Sequence, residues 1–243
     1  MPNEQIKKLL TTLPRGAPFD TAKLADLGIL PDLAHHYVKS GWLEKLSRGV
    51  FMFAGDTLDK DATLRFLGRS IPGLHLAAKA ALARHGFRHN VAQDELIVLW
   101  GDRPNALPDW FQDRFPARYS TPRLFDDTLP HGFGVSKLPG LYHGPDVSEP
   151  ERALLEMLSE VGVQQEVAEA RLIMEGVRQL RMARMAKLLA ACRMVKAVRL
   201  CVGWSEELDL PWAAKAREAA KEKMGTGRWI TRLKDGSTMI LKP

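Results

Sequence analysis

Residues 14–56, PRGAPFDTAKLADLGILPDLAHHYVKSGWLEKLSRGVFMFAGD, constrain this chain more than any other stretch. Two short helical patterns come first. Residues 21–27 follow Asp20 or Thr21 as N-cap and stop at Gly28. The second pattern opens on Pro31 at the first helical position and stops at Gly41. Its apolar residues Leu33, Ala34, Tyr37 and Val38 share one face and should pack on the first helix. The opposite stripe is Asp32, His35, His36 and Lys39, side chains that can reach base edges or phosphates in a major groove. Residues 42–46 and 50–53 then read as two strands around Ser47-Arg48-Gly49, since Phe51 and Phe53 alternate with Val50 and Met52. Lys45 and Arg48 stand near that turn. The pattern is that of a winged helix-turn-helix, with the tip on the nucleic-acid backbone and the helix in the groove. The plainer alternative is a protein-interaction module of the same shape. The stripe is only mildly basic, and phosphate would repel Asp32 unless it accepts from a cytosine amino group.

At 243 residues the chain has room for one small and one medium domain. The boundary is expected in the polar connection 55–60, giving a DNA-binding domain over 1–56 and a second domain over 57–243. Charged residues make up 26% and hydrophobic ones 45%, as in a globular protein, and a net charge of +6 favours an anionic partner. Two cysteines, Cys192 and Cys201, argue against a disulfide scaffold and read as small buried hydrophobes of a reducing compartment. The N-terminus MPNEQIKKLL lacks the apolar segment of a signal peptide, and no run approaches the ~20 apolar residues of a membrane span. The expectation is a bacterial cytoplasmic protein.

Residues 3–12 form an amphipathic helix capped by Asn3, with Lys7 and Lys8 toward solvent. Arg15, in the Pro14-Arg15-Gly16 break, lies within reach of a phosphate. Helices are expected over 61–70 and 74–85, the latter Ala-rich with Lys79 snorkelling out of the run. Residues 95–100 (ELIVLW) make the strongest strand, apolar throughout and so central. Further strands are read at 118–125, 134–138 and 141–143, and a helix at 148–161. There Ser148 and Glu151 match a capping box, which accounts for Glu151 without catalysis. Strands followed by helices indicate an α+β domain. Residues 166–179 and 182–194 form a helical pair, 198–202 a strand, 212–224 a charged helix, and 228–233 with 237–241 a terminal hairpin.

Residues 171–199 carry eight cations (Arg171, Arg178, Arg181, Arg184, Lys187, Arg193, Lys196 and Arg199) against one acid, Glu175. Apolar residues at helical spacing among them give a packed element with a cationic exterior. That exterior is either a second nucleic-acid surface or an ordinary solvated face.

Enzymatic signatures are few. The sequence contains no Walker loop, dinucleotide fingerprint or nucleophile elbow. His85 and His89 stand four apart, but Gly86 intervenes and no third ligand is near, so no metal is expected. No cofactor is expected either. Asp94, Glu95 and Lys137 are the residues from which a nuclease-like site would be assembled. As strand-edge charges they are also ordinary, and a nuclease-like or protein-docking second domain stays as the alternative.

The sequence resembles the AbiEi antitoxins of type IV toxin–antitoxin systems. The resemblance is carried by Leu13-Pro14-Arg15-Gly16, by Tyr37-Val38-Lys39-Ser40-Gly41-Trp42-Leu43-Glu44 and by Arg48-Gly49-Val50-Phe51. It continues through Ala78-Lys79-Ala80-Ala81-Leu82 with His85-Gly86, and through Ser148-Glu149-Pro150-Glu151-Arg152-Ala153-Leu154-Leu155-Glu156. The last block is Ala191-Cys192-Arg193 with Val195-Lys196 and Arg199-Leu200. Ala78 stands where the family usually has Gly, and the C-terminal tail is a variant. The resemblance implies a repressor whose winged helix binds inverted repeats in its own promoter. It also implies a C-terminal domain that counters a nucleotidyltransferase toxin without a stable complex. The combined expectation is an α+β chain, an N-terminal winged helix-turn-helix followed by a larger mixed α/β domain. It is not an enzyme. His35, His36 and Lys39 are expected to read bases, and Arg15, Lys45 and Arg48 to hold the backbone of double-stranded DNA.

Overall fold

The computed structural model describes residues 2–88, 96–138, 144–232, 236 and 238–241. The expected strand at 141–143, His89, Asp94, Glu95, the Asn3 side chain and most of the 233–237 turn lie outside the described residues.

The chain opens with α1 (Pro2–Thr12), β1 (Phe19–Asp20), α2 (Thr21–Asp26) and α3 (Pro31–Lys39), then β2 (Leu43–Ser47) and β3 (Val50–Phe53). Asp20 caps α2 by accepting from Lys23 N at 2.8 Å. Both helices of the pair end in the same way. Gly28 and Gly41 adopt φ of 80° and 76°. The residues after them, Ile29 and Trp42, donate back to Leu24 O at 3.0 Å and Tyr37 O at 2.9 Å. These are Schellman closures, which glycine enters without a Cβ penalty. The strands form an antiparallel sheet in the order β1-β3-β2, with a bulge between Lys45 and Ser47. Ile6, Leu9, Leu24, Ile29, Tyr37, Phe51 and Phe53 fill a small core beneath it.

Beyond it come α4 (Lys60–Leu67), β4 (His75–Leu76), α5 (Ala78–Arg84), β5 (Ile97–Trp100), α6 (Asp109–Gln112), β6 (Ala117–Ser120), β7 (Val135–Lys137) and β8 (Asp146–Ser148). Five of these strands make a mixed sheet, order β6-β5-β4-β8-β7. β5 is interior and all four of its residues are buried, as its unbroken apolar run requires. The helices α7 (Pro150–Glu160), α8 (Val167–Glu175), α9 (Met182–Ala191), α10 (Val195–Glu207) and α11 (Ala213–Ala220) follow, and a hairpin of β9 (Trp229–Arg232) and β10 (Thr238–Leu241) ends the described chain.

β3 serves both cores. Phe51 and Phe53 face the small core, while Met52 between them enters the large one with Leu58. The period of two in the sequence thus makes one strand a shared wall between the two bodies.

Four expectations need correction. Residues 198–202 are the centre of α10, not a strand. Val198 and Val202 read as strand formers, but burial among neighbouring helices overrides that weak preference. The helix expected over 74–85 is split, because His75 and Leu76 pair with Trp100 and Leu99 of β5 before α5 begins. The strand expected over 118–125 stops at Ser120, just before Thr121-Pro122, where proline offers no ladder donor. Finally, Ser148 is not a helix cap. It pairs with Val135 in the sheet, so the chain is still extended there and α7 starts two residues later at Pro150.

Candidate nucleic-acid interface

The outward face of α3 and the tip of the β2–β3 hairpin carry the residues expected to touch DNA. Asp32, His35, His36 and Lys39 are exposed on α3, while Ala34 and Tyr37 are buried against the small core. Lys45 and Arg48 are exposed on β2 and at the hairpin tip. Gly49 O accepts from Thr21 N at 3.0 Å, which ties the tip to the start of α2. Among the described residues Lys39, Lys45 and Arg48 have no acidic partner. His36 lies tilted beside Tyr37, with ring centroids 6.2 Å apart. Arg15 is placed differently. It pairs with Asp56, and its guanidinium lies 5.1 Å over the Phe53 ring. Its side chain is still 60% exposed, yet its charge already has a partner that is 7% exposed.

In the basic run 171–199 the structure corrects the expectation of a cationic exterior at two positions. Lys196 and Arg199 are buried. Lys196 donates to Val161 O at 2.9 Å, and burial lowers its pKa below the ordinary lysine value. Arg199 donates to Met224 O at 2.6 Å and to Leu241 O at 3.0 Å, fastening the terminal hairpin to α10. Arg171 pairs with Glu207 at 2.6 Å and lies over Trp204. Arg181 pairs with Glu149 and Glu151, and Arg184 with Glu149. Arg178, Lys187 and Arg193 are the exposed members of the run without an acidic partner among the described residues. A sequence count of one acid misses Glu149, Glu151 and Glu207, which the fold brings in from outside the run.

Glu151, expected in a capping box, instead forms a clamp with Arg181. It is 2% exposed and accepts from Arg181 N at 2.7 Å, Nε at 3.1 Å and Nη2 at 2.8 Å. Burial pushes its carboxyl up, but the hydrogen bonds from Arg181 outweigh that and hold it below the ordinary range.

One turn further along α7, Glu156 is fully buried. It accepts from Arg152 Nε at 2.7 Å, Ser148 Oγ at 2.9 Å and Ala78 N at 3.0 Å, and His75 Nε2 faces it at 3.4 Å. Burial raises its carboxyl as well. The His75 hydrogen bond, the Arg152 and His75 charges and the Ala78 amide together bring it below the usual value. Sequence reading passed over this centre. Its available signal was the i,i+4 spacing of Arg152 and Glu156 on the apolar side of a helix, where a lone carboxylate must find donors. Ala78 itself has φ of 49°, a conformation that favours glycine. The tight entry into α5 aims the Ala78 amide at Glu156.

A polar cleft of about 440 Å³ adjoins the clamp, bordered by His85, Lys137, Glu149, Glu151 and Arg181. Burial lowers the pKa of His85, whose Nε2 donates to Ser148 O at 3.0 Å. Among the described residues no three His, Cys, Asp or Glu side chains gather as a metal site would need. Both cysteines are free and buried, and burial raises both thiols.

Two family models together span nearly the whole sequence. Residues 2–93 match the transcriptional regulator AbiEi antitoxin N-terminal domain, and residues 94–240 match the transcriptional regulator AbiEi antitoxin of type IV toxin–antitoxin systems. The chain belongs to the AbiEi antitoxin family. Its fold is also similar to the crystal structure of the RV2827C protein from Mycobacterium tuberculosis. The TM-score is 0.60 at 18% identity, over 91% of this chain and 80% of that one. No curated protein matches. This AbiEi chain is therefore a family transcriptional regulator of a toxin–antitoxin system, and none of its described helices is long and apolar enough to cross a membrane. The N-terminal model ends at residue 93, so it takes in α4 and α5 as well as the unit that carries the exposed cations.

Proposed function

We propose that this AbiEi chain represses its own operon by binding double-stranded DNA through residues 1–56, used as a winged helix-turn-helix. The observation that carries this reading is the set His35, His36, Lys39, Lys45 and Arg48. All are exposed on one small body, and none has an acidic partner among the described residues. In this reading α3 enters the major groove, with His35, His36 and Lys39 at base edges, while Lys45 and Arg48 of the wing neutralise phosphates. Arg15 contacts a phosphate only with the part of its charge that Asp56 leaves, so its main work is to hold the chain leaving β3. Inverted repeats in the promoter would engage two copies. The larger body opposes the nucleotidyltransferase toxin functionally, without a lasting complex, and the protein works in the bacterial cytoplasm.

The test is a gel shift on the DNA immediately upstream of the gene against an unrelated fragment of equal length, at two salt concentrations. Retardation of the upstream fragment alone, surviving the higher salt, is expected. Equal salt-sensitive retardation of both fragments would reduce the interface to unspecific charge attraction. No retardation of either would refute DNA binding.

A further inference from the structure

A groove at the edge of the small core, where Leu13 and Phe19 meet α4, holds a second set of cations. It runs between the segment around Pro18 and Phe19 and the face of α4 that bears Phe66. Lys23, Arg65 and Arg69 line it, and no acid does. Among the described residues Lys23 and Arg69 are paired with no carboxylate.

The spacing of this set from the wing is fixed by a rigid joint. Asp56 accepts from Gly16 N at 2.7 Å as well as pairing with Arg15, and Asp59 N donates to Gly16 O at 2.7 Å. Asp59 then caps α4 through Ala62 N at 2.7 Å. A Cβ on Gly16 would meet Thr57 O at 2.8 Å, so the two segments cannot be parted by a side chain. The helix carrying Arg65 is thus locked to the segment that leads into β1 and α2. On the other side, Thr21 N donates to Gly49 O at 3.0 Å, which joins the wing tip next to Arg48 to the first residue of α2, two residues before Lys23. Cations thus stand at the wing tip, in the first turn of α2 and on α4, three segments joined by these backbone hydrogen bonds.

We propose that this track, Lys23 and Arg69 with Arg65 beside them, holds the DNA phosphates that flank the half-site, so that α4 is part of the DNA-binding surface. The inference rests on the DNA-binding reading above. A groove lined by cations and apolar residues suits a run of phosphodiesters with their sugars, and such contacts add affinity without reading sequence.

The experiment measures binding of the full chain to the upstream DNA by fluorescence anisotropy across a salt series. It compares wild type, Lys23→Ala, Arg69→Ala, the double variant and the charge reversal Arg69→Glu. Two duplexes are used, one trimmed to the protected half-sites and one extended at both ends, and thermal unfolding confirms that each variant is folded. On the extended duplex each alanine variant should flatten the log–log salt slope by about 0.9 and weaken binding about tenfold near 0.1 M salt, with Arg69→Glu weaker still. On the trimmed duplex the variants should match wild type. Wild-type binding with unchanged slopes in every variant overturns this inference alone. Equal losses on both duplexes overturn the flanking position. Wild type that binds neither duplex overturns the DNA reading and this inference with it.

Discussion

The N-terminal unit and the helical run 171–199 are both rich in cations, yet the structure leaves most of the first unpaired and holds five of the eight in the second, leaving Arg178, Lys187 and Arg193 exposed without an acidic partner among the described residues. On α3 and the hairpin, His35, His36, Lys39, Lys45 and Arg48 are exposed and meet no carboxylate. In the helical run, Lys196 and Arg199 are buried on backbone carbonyls, and Arg171, Arg181 and Arg184 face glutamates. A positive charge count is therefore no measure of a binding surface. What matters is whether the fold has already supplied a counter-charge or an acceptor, since a cation so held gives little further attraction to a phosphate.

Arg199→Ala should produce the largest effect. It strands the carbonyls of Met224 and Leu241 in a buried setting and frees the terminal hairpin, for a loss of about 2–4 kcal/mol in urea unfolding. Binding by the molecules still folded should be unchanged. A stable Arg199→Ala protein that has lost DNA affinity would erase the distinction between the two regions.

Arg48→Ala is the mirror experiment. Its stability should stay within about 0.5 kcal/mol of wild type, as for an exposed residue without partners. Its salt slope should flatten by about one unit on any DNA sequence. A slope equal to that of wild type would remove Arg48 from the backbone contacts. His36→Ala sharpens the same point, because it should broaden base preference within a half-site when bound sequences are selected from a random pool. Recovery of the wild-type motif would deny it a reading role.

Acid should separate the regions as well. Glu151 and Glu156 have carboxyls held below the ordinary value of 4.5 in the folded chain. Their contribution to stability is complete above that value and is lost as pH falls through the lower folded-state values. Unfolding followed from pH 6 down to pH 3 should therefore show falling stability, and Glu156→Gln should reduce the slope of that fall. An unchanged slope in Glu156→Gln would mean that its carboxyl titrates alike in both states.

The smallest effect is expected from Ala78→Gly. Relieving a φ of 49° should stabilise the chain by about 0.5–1 kcal/mol, read as a small rise in melting temperature with the Glu156 contacts retained. A loss of stability would mean that the extra freedom of glycine in the unfolded chain outweighs the relief.

Much of the small body was legible from sequence because its signals are local. Pro31 opens α3, Gly28 and Gly41 close the two helices, and the alternation of Phe51, Met52 and Phe53 makes a strand. Each depends on the backbone preferences of a few adjacent residues, and half of the family blocks lie on the same segments. The structure added that Met52 faces the second core, which alternation implies but cannot assign to a partner.

Elsewhere the decisive partners are distant in sequence. Glu156 meets Ala78 N across 78 positions, and Arg181 meets Glu151 across 30. No window of residues contains such pairs, so Glu151 looked like a cap and the basic run looked like an exterior. The strand expected at 198–202 failed for the same reason, since β-branched residues also fit a helix buried on every side. Sequence alone determined the family, the helix ends and the pattern of the small body. Tertiary structure decided which charges are left for a partner, because a charge is neutralised by what lies near it in space.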